Sequence, residues 1–484
     1  MTVTSLDTVP QSRSLARPPA FLLLAAGACV LAVLLGNRLL LDPDTLWQIK
    51  VGQWIIAHRA VPHVDIYSLT RAGEPWMSSS WLAQVLFASA YDNAGWIGVV
   101  VLTALAIATT IGVLVHALER QMSPILAGFV AMVAFALSAQ HFLARPHVLA
   151  MPIMVAWTAG LIGAADRGAR PSFWLLPLLV LWTNLHGGFV LGLALVAPIG
   201  LDAVWNAAPA RRWPLALQWA LFVAAAALAC CITPYGWDAL LAARKILGLG
   251  GALGVIAEWA PLSFARFGLF EGCLLMLLAL MLHLGMRLSP PRILLVLGLL
   301  HMALTHVRNV EVFALLLPLI VLAPMGARFG AALKPERPGA RPSWFGGGLV
   351  LVAAVGLIGV LASIRPSRPP LENDSSAAIA ALQATGATRV LNDYSLGGAM
   401  IWAGLRPFID SRAELYGEST VVGYFKAISL EEPDGLFRLL ADNALGATML
   451  DPATPAVRVM DRLAGWHRVF ANDVAVIHVR EAPR

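Results

Sequence analysis

The sequence predicts a polytopic α-helical membrane protein that ends in a small α/β domain. Hydrophobic residues make up 58% of the 484-residue chain and charged residues only 13%, whereas charged residues make up about 25% of a typical soluble protein. Apolar runs of about 20 residues, each long enough to cross a bilayer, recur along most of the chain. Beyond residue 365 the composition changes and short apolar runs replace the long ones.

Windows of about 19 residues predict about eleven spans. They are residues 20–41, 95–116, 124–143, 147–164, 172–184, 187–206, 213–232, 266–286, 290–305, 308–326 and 344–364. Lys and Arg concentrate in alternate connections, which is the bias that sets membrane topology. This bias predicts a cytoplasmic N-terminus (1–19), a transmembrane domain (20–365) with a long first extracytoplasmic loop (42–94), and an extracytoplasmic C-terminal domain (366–484).

The net charge of +6 does not indicate a nucleic-acid-binding protein, because the basic residues lie in short connections between spans and form no basic face. The four cysteines likewise predict no disulfide or metal site. Cys29, Cys230, Cys231 and Cys273 all lie in apolar runs without CxxC spacing, so neither a disulfide framework nor a zinc site is expected.

The C-terminal domain, at about 115 residues, suits one small α/β unit. Its short apolar runs predict strands at "TRVLND" (388–393), "RPFID" (406–410), "GATMLD" (446–451) and "DVAVIHV" (473–479). Asp410 and Arg412 lie at the end of one predicted strand, where α/β sheets often bind ligands. The alternative is that these charges pair with each other.

Polar and ionisable residues gather in the outer connections, whereas the inner connections hold mainly topology-setting arginines. The outer residues, in chain order, are Asp42, Asp44, Asp65, Glu74, Arg145, His147, Asn184, His186, Tyr235, Glu258, His306, Arg308, Asn309 and Glu311. Charges in the middle of a bilayer are costly, and this placement avoids that cost. A cluster at the outer ends of the spans would face a substrate whose lipid tail stays in the membrane.

These residue types suit group transfer from a lipid phosphate. Arginine and histidine bind phosphate or pyrophosphate, arginine through two parallel hydrogen bonds. A carboxylate, Asp44 or Asp42, suits the role of a general base that takes a proton from an acceptor. Three histidines on one side permit a divalent metal, but no tight spacing requires one.

Each residue also has a structural interpretation. Asp44 precedes an apolar stripe with helical spacing, so it would cap an amphipathic helix lying in the membrane interface. Asp42 would be a solvated turn residue, and Arg145 and Arg308 would be anchors whose charged ends reach the membrane surface. The histidines, taken singly, are more often structural than ligands.

The segment "LDPDTLWQIKVGQWIIAHRAVPHVDIYSLTRAGEPWMSSSWLAQVLF" (41–87) resembles the first extracytoplasmic loop of a broad family of bacterial membrane proteins in the GT-C glycosyltransferase superfamily. Later segments resemble the same family, in order: "ARPH", "WTNLHGGFVLG", "TPYGW", "AEW", "HVRNVEVFALLLP", "NDYSLGGAMIW" and "FIDSRAELYG". In that superfamily an acidic residue just after the first span is the catalytic or metal-binding carboxylate. Relatives of this type include polyprenyl-phosphate-sugar-dependent mannosyltransferases and aminoarabinose transferases.

The resemblance implies a glycosyltransferase of the bacterial inner membrane, with Asp44 or Asp42 as its base and a polyprenyl-phosphate-linked sugar as its donor. The expected phosphate-binding residues are Arg145, His147, His186, His306 and Arg308, and the expected acceptor- or substrate-binding residues are Tyr235, Glu258, Asp410 and Arg412. Membrane lipids and envelope-biosynthesis proteins are the expected partners. One position departs from the family: Gln84 stands where relatives often carry Glu. Two alternatives stay open, a transporter or flippase of lipid-linked saccharides and a non-catalytic scaffold for envelope assembly.

Overall fold

The computed structural model describes residues 18–241, 250–251, 254, 257–333, 343–370 and 375–481. Within these ranges, seven helices are long and apolar enough to cross a membrane, and four shorter apolar helices accompany them. Each of the eleven predicted spans overlaps one of these helices. The helices before the C-terminal segment are α1 (Ala20–Leu34), α2 (Gly36–Leu39), α3 (Asp44–His58), α4 (Trp81–Leu118), α5 (Pro124–Ser138), α6 (Pro146–Asp166), α7 (Leu176–Leu185), α8 (Phe189–Asn206), α9 (Pro209–Ala229), α10 (Leu269–Leu284), α11 (Pro290–Thr305), α12 (Val310–Leu333) and α13 (Trp344–Ile364).

Helices α4 and α6 form the centre of this bundle. Helix α4 packs against α1, α3 and α6, and α6 also packs against α7, α8 and α12. Large apolar side chains from both central helices, such as Phe87, Ile107 and Trp157, are fully buried. Helix α13 is peripheral, since only Gly347 among its residues is buried.

The predicted first loop (42–94) holds two helical stretches, α3 and the first part of α4. Helix α4 kinks at Gly95, whose φ of 63° and ψ of −152° suit glycine. The apolar stripe of α3, predicted to face the membrane interface, packs against protein instead. Trp47, Val51 and Ile55 are buried, because α3 lies between α4 and the C-terminal segment.

The C-terminal segment (375–481) contains a four-stranded sheet in the order β1-β2-β4-β3, with β1 and β2 parallel and the other pairs antiparallel. Its elements are α14 (Ser376–Ala384), β1 (Val390–Asn392), α15 (Gly397–Trp402), α16 (Ala413–Tyr416), α17 (Glu418–Ile428), α18 (Gly435–Asp442), β2 (Ala447–Leu450), α19 (Pro455–Met460), β3 (Trp466–Ala471) and β4 (Val476–Arg480).

Three of the four predicted strands are confirmed, as β1, β2 and β4. The prediction of a strand at residues 406–410 is wrong. The side chain of Asn392 makes the hydrogen bonds there that a neighbouring strand would make. The Asn392 amide donates to the Ile409 carbonyl and accepts from the Phe408 N–H, so this backbone needs no sheet partner. Strand β3 was not predicted, since its burial does not alternate and its pairing with β4 shifts register between Arg468 and Phe470.

A buried ion cluster joins three helices at their ends away from Arg145. The Arg292 guanidinium, on the first turn of α11, contacts Asp166 at 2.7 Å and Asp202 at 2.9 Å. Asp166 ends α6 and Asp202 lies in the last turn of α8. Arg145 directly precedes α6, so these clusters mark opposite ends of the bundle.

Candidate functional site

Three carboxylates from distant parts of the chain converge on the guanidinium of Arg145. Its Nε contacts Asp42, one Nη contacts Glu258, and the other Nη lies 3.3 Å from Asp44. Arg145 directly precedes α6, Asp44 is the first residue of α3, and Glu258 lies in a short 3₁₀ turn, Ala257–Trp259. All four side chains therefore come from the ends of helices or from connections between them.

The geometry at the start of α3 separates the roles of the two aspartates. The Asp42 Oδ1 accepts a hydrogen bond from the Asp44 N–H at 2.8 Å, so Asp42 satisfies this backbone donor. Asp44 lies inside the helix and forms no side-chain cap, which makes its predicted capping role wrong. Asp42 is also not a solvated turn residue, since its side chain is only 1% exposed.

Arg308 is the second guanidinium of this region. It lies in the 3₁₀ turn Val307–Asn309, directly after α11, and stacks on the Trp259 ring at 4.5 Å. Within the described ranges its guanidinium has no ion-pair or hydrogen-bond partner. The guanidinium of Arg145 already contacts three carboxylates. Of the two arginines, Arg308 is therefore the one whose N–H groups are available to an anionic ligand.

Each predicted histidine has a partner in the protein. His147 Nε2 donates to the His141 carbonyl at 3.1 Å, and His306 Nδ1 donates to the Trp259 carbonyl at 2.8 Å. His186 Nδ1 accepts from the Gly188 N–H within a tight turn between α7 and α8. The rings of His147 and His186 lie 6.0 Å apart, so these two histidines share one side of the site.

A buried carboxylate, Glu311, lies beside the histidines. Among the residues that the structure describes, its Oε2 has no hydrogen-bond partner, and it lies 3.8 Å from Nε2 of His147. The sequence places Glu311 three residues after Arg308, close to one helical turn. Glu311 is one of the polar residues of the outer connections, although the sequence assigns it no role in the site.

Burial raises the pKa of Asp44 to about 6, hydrogen bonding with Ser411 and Trp47 opposes this rise, and the negative charge of Glu258 adds to it. An aspartate with this pKa changes protonation close to neutral pH. General bases work best when their pKa is near the working pH, and Asp44 meets this condition.

The C-terminal segment adds further side chains to this site. The Ser411 hydroxyl accepts a hydrogen bond from Trp47 Nε1 at 3.0 Å, and the Glu414 carboxylate accepts one from Trp76 Nε1 at 3.4 Å. Glu414 is solvent-accessible, yet the surrounding protein raises its pKa by burial.

Tyr394 of the C-terminal segment also lies near the carboxylates of the site. Burial raises the pKa of its phenol, and the charges of Asp44, Glu414, Asp410 and Glu258 raise it further. The segments "FIDSRAELYG" and "NDYSLGGAMIW", which share the resemblance, contain these residues of the C-terminal segment.

The structure corrects the substrate-binding role predicted for Asp410 and Arg412. Their side chains are at most 1% exposed, and Arg412 binds Asp410 at 2.7 Å and Asp65 at 2.6 Å. The predicted alternative, that these charges pair with each other, describes the structure. Arg412 also stacks on Trp76 at 4.7 Å, so it fastens the C-terminal segment to the first loop.

Tyr235 likewise has a structural position. Its hydroxyl donates to the Pro62 carbonyl at 2.9 Å and accepts from the Ser78 N–H at 3.1 Å. Both bonds hold the first loop, and the side chain is buried, so no surface remains for a substrate. Gln84, which departs from the resembled family, lies buried in a chain of hydrogen bonds with Ser78 and Gln48.

No group of three His, Cys, Asp or Glu side chains within the described part of the chain has the arrangement needed to hold a metal ion. The positive charge of the Arg145 guanidinium lies where the three carboxylates meet. No protein-family model and no curated protein matches this chain.

Proposed function

We propose that this protein is a membrane glycosyltransferase of the GT-C type that uses a polyprenyl-phosphate-linked sugar. The observation that carries the proposal is the convergence of Asp42, Asp44 and Glu258 on Arg145, with the unpaired Arg308 nearby, at one end of a bundle of apolar helices. The proposed topology has eleven spans, a cytoplasmic N-terminus and an extracytoplasmic C-terminal segment in a bacterial inner membrane.

Asp44 is the general base in this proposal. Its carboxylate takes a proton from an acceptor hydroxyl, and the acceptor oxygen attacks the anomeric carbon of the sugar. The bond between that carbon and the phosphate oxygen breaks, and the lipid phosphate leaves with the bonding electrons. Lipid phosphate is a good leaving group, so one base and one phosphate-binding cation are sufficient.

The two arginines have different roles. Arg308 binds the phosphate, since its guanidinium has free donors and the ring of Trp259 supports it. Arg145 orients Asp42, Asp44 and Glu258, because it contacts all three. This assignment differs from the sequence-based expectation, in which Arg145 bound the phosphate.

The test is sugar transfer by the purified full-length chain in lipid nanodiscs, with a panel of radiolabelled polyprenyl-phosphate sugars. We expect Arg308→Ala to weaken donor binding at least tenfold, and Arg308→Lys to restore part of it. Arg462→Ala is the matched control, since Arg462 is exposed on the C-terminal segment. If wild type binds polyprenyl-phosphate sugars but transfers none of them, a transporter or a scaffold replaces the enzyme.

A further inference from the structure

The turn that carries Asp44 is in direct contact with the C-terminal segment at Gly398. A Cβ atom added to Gly398 would lie 2.8 Å from the Pro43 carbonyl oxygen and 3.3 Å from Cδ1 of Trp47. Carbon atoms essentially never approach a carbonyl oxygen this closely. The start of α15 therefore reaches the Asp42–Asp44 turn only because position 398 has no side chain.

A second contact lies one turn along α3. Trp47 follows Asp44 by three residues, so both side chains lie on the same face of the helix. Trp47 Nε1 donates to the Ser411 hydroxyl at 3.0 Å, and the interaction of Ser411 with the Asp44 carboxyl lowers its pKa. Ser411 thus touches the helix face that presents the candidate base.

The segment that holds Ser411 is itself fixed in place. Its neighbours Asp410 and Arg412 form a fully buried ion pair, and Arg412 binds Asp65 in the first loop at 2.6 Å. The Tyr416 hydroxyl donates to Asp410 at 2.8 Å. Rotation of Ser411 away from α3 would require this buried network to break.

We infer that the C-terminal segment is a positioning element for Asp44, with Gly398 setting the position of the Pro43–Asp44 backbone and Ser411 holding, through Trp47, the helix face that presents the carboxylate. The inference rests on the proposed function for the chemistry of Asp44, and on the contacts of Gly398 and Ser411 for the positioning. It assigns the C-terminal segment a positioning role in the site, in place of the substrate-binding role that the sequence predicts for Asp410 and Arg412.

Other charged groups also face Asp44 and enter any titration of it. They are Asp42, Arg145, Glu258, Tyr394, Asp410 and Glu414. None of these residues changes in the variants below. A shift in the titration of Asp44 would therefore report the lost Ser411 or Gly398 contact.

The test compares Ser411→Ala and Gly398→Ala with the control Gly423→Ala in the full-length chain in nanodiscs. Gly423 lies in helix α17, and a Cβ atom there would meet open space. The first readout is the pH titration of the Asp44 carboxyl by infrared difference spectroscopy, each protein minus its Asp44→Asn form. It needs neither donor nor acceptor.

Removal of the Ser411 hydroxyl takes away the acceptor of Trp47 Nε1 and an interaction that lowers the pKa of Asp44, so we expect the titration of Asp44 to move up by about one pH unit. Ser411→Thr keeps the hydroxyl and should restore most of the shift. Gly398→Ala should shift the titration and slow transfer about tenfold or more with donor binding unchanged, because displaced catalytic groups lose rate. Gly423→Ala should match wild type in every measurement.

The positioning inference is overturned if folded Ser411→Ala and Gly398→Ala proteins titrate at Asp44 like wild type. If Gly398→Ala does not fold, the pair Ser411→Ala and Ser411→Thr decides the matter. Failure of the proposed function gives a different pattern. Wild type would then transfer no sugar, while the infrared titration would still show whether Ser411 and Gly398 position Asp44.

Discussion

Replacing Arg412 by Met tests whether the buried ion network fastens the C-terminal segment to the rest of the protein. Arg412 makes hydrogen bonds of 2.6–2.8 Å to Asp65 and Asp410, and all three side chains are at most 1% exposed. Solvent screening is therefore negligible here. Breaking a buried pair by removing one partner costs about 3–5 kcal/mol, so we expect Arg412→Met to lower the free energy of unfolding by that amount at pH 7.

The loss should depend on pH in a defined direction. In wild type, burial raises the pKa of Asp65, but the charge of Arg412 and hydrogen bonds from Ser68 outweigh this and leave the pKa below its ordinary value. The stabilising contribution of the ionised Asp65 carboxylate is present at neutral pH and is lost as the pH falls through the lowered pKa. In Arg412→Met the buried carboxylates of Asp65 and Asp410 lack a cation, so protonation at lower pH removes their uncompensated charge. The difference in the free energy of unfolding between Arg412→Met and wild type should therefore shrink as the pH falls from 8 to 5.

Chemical unfolding in detergent, followed by tryptophan emission, measures this difference, because Trp76 and Trp47 lie 4.7 Å and 6.0 Å from the Arg412 guanidinium. Arg412→Lys keeps the positive charge without the forked geometry of a guanidinium. Its free energy of unfolding should lie between those of Arg412→Met and wild type. Arg462→Met, at an exposed position, should stay within about 0.5 kcal/mol of wild type. A loss below about 1 kcal/mol in Arg412→Met, or one that does not change with pH, would refute this reasoning.

Three further predictions concern other parts of the chain. Asp202→Asn, which weakens the buried Arg292 cluster, should destabilise the bundle by about 3 kcal/mol or more in the same unfolding assay, whereas Asp238→Asn at an exposed position should not. Tyr235→Phe removes the partner of the Pro62 carbonyl and the Ser78 N–H and should cost about 1–3 kcal/mol while leaving the KM for donor unchanged. Because the pKa of Asp44 is raised to about 6 and a base must be ionised to act, the pH–rate profile of transfer should rise with pH through about 6 and be flat above about 7; an acidic limb near 4 would contradict this assignment.

Much of the bundle is predictable from the sequence because its cause is local. An apolar run of span length forms a helix wherever it lies, since its backbone groups pair within the run. Each predicted span accordingly overlaps an apolar helix. The outer connections are also visible in the sequence, which is why Asp44, Arg145, Glu258 and Arg308 were selected as one group.

The partners within that group are not predictable, because they depend on contacts between distant residues. Glu258 lies 113 positions from Arg145, and Asp65 lies 347 positions from Arg412. Nothing in the local pattern shows that Arg145 is occupied by carboxylates while Arg308 is free. Burial is equally invisible at Asp410 and Arg412, where charged residues at the end of a predicted strand suggest a ligand site and form a structural ion pair instead.

The measurement that tests the central claim most directly separates donor binding from transfer in Asp44→Asn. Ionised Asp44 is disfavoured by burial, so the neutral amide should leave the unfolding temperature equal or higher, and the fold intact. We predict that Asp44→Asn binds the polyprenyl-phosphate sugar as wild type does and transfers it at least about 10²-fold more slowly, as expected for loss of a general base. Asp442→Asn, at an exposed position, should transfer normally. Transfer by Asp44→Asn at the wild-type rate would contradict the account.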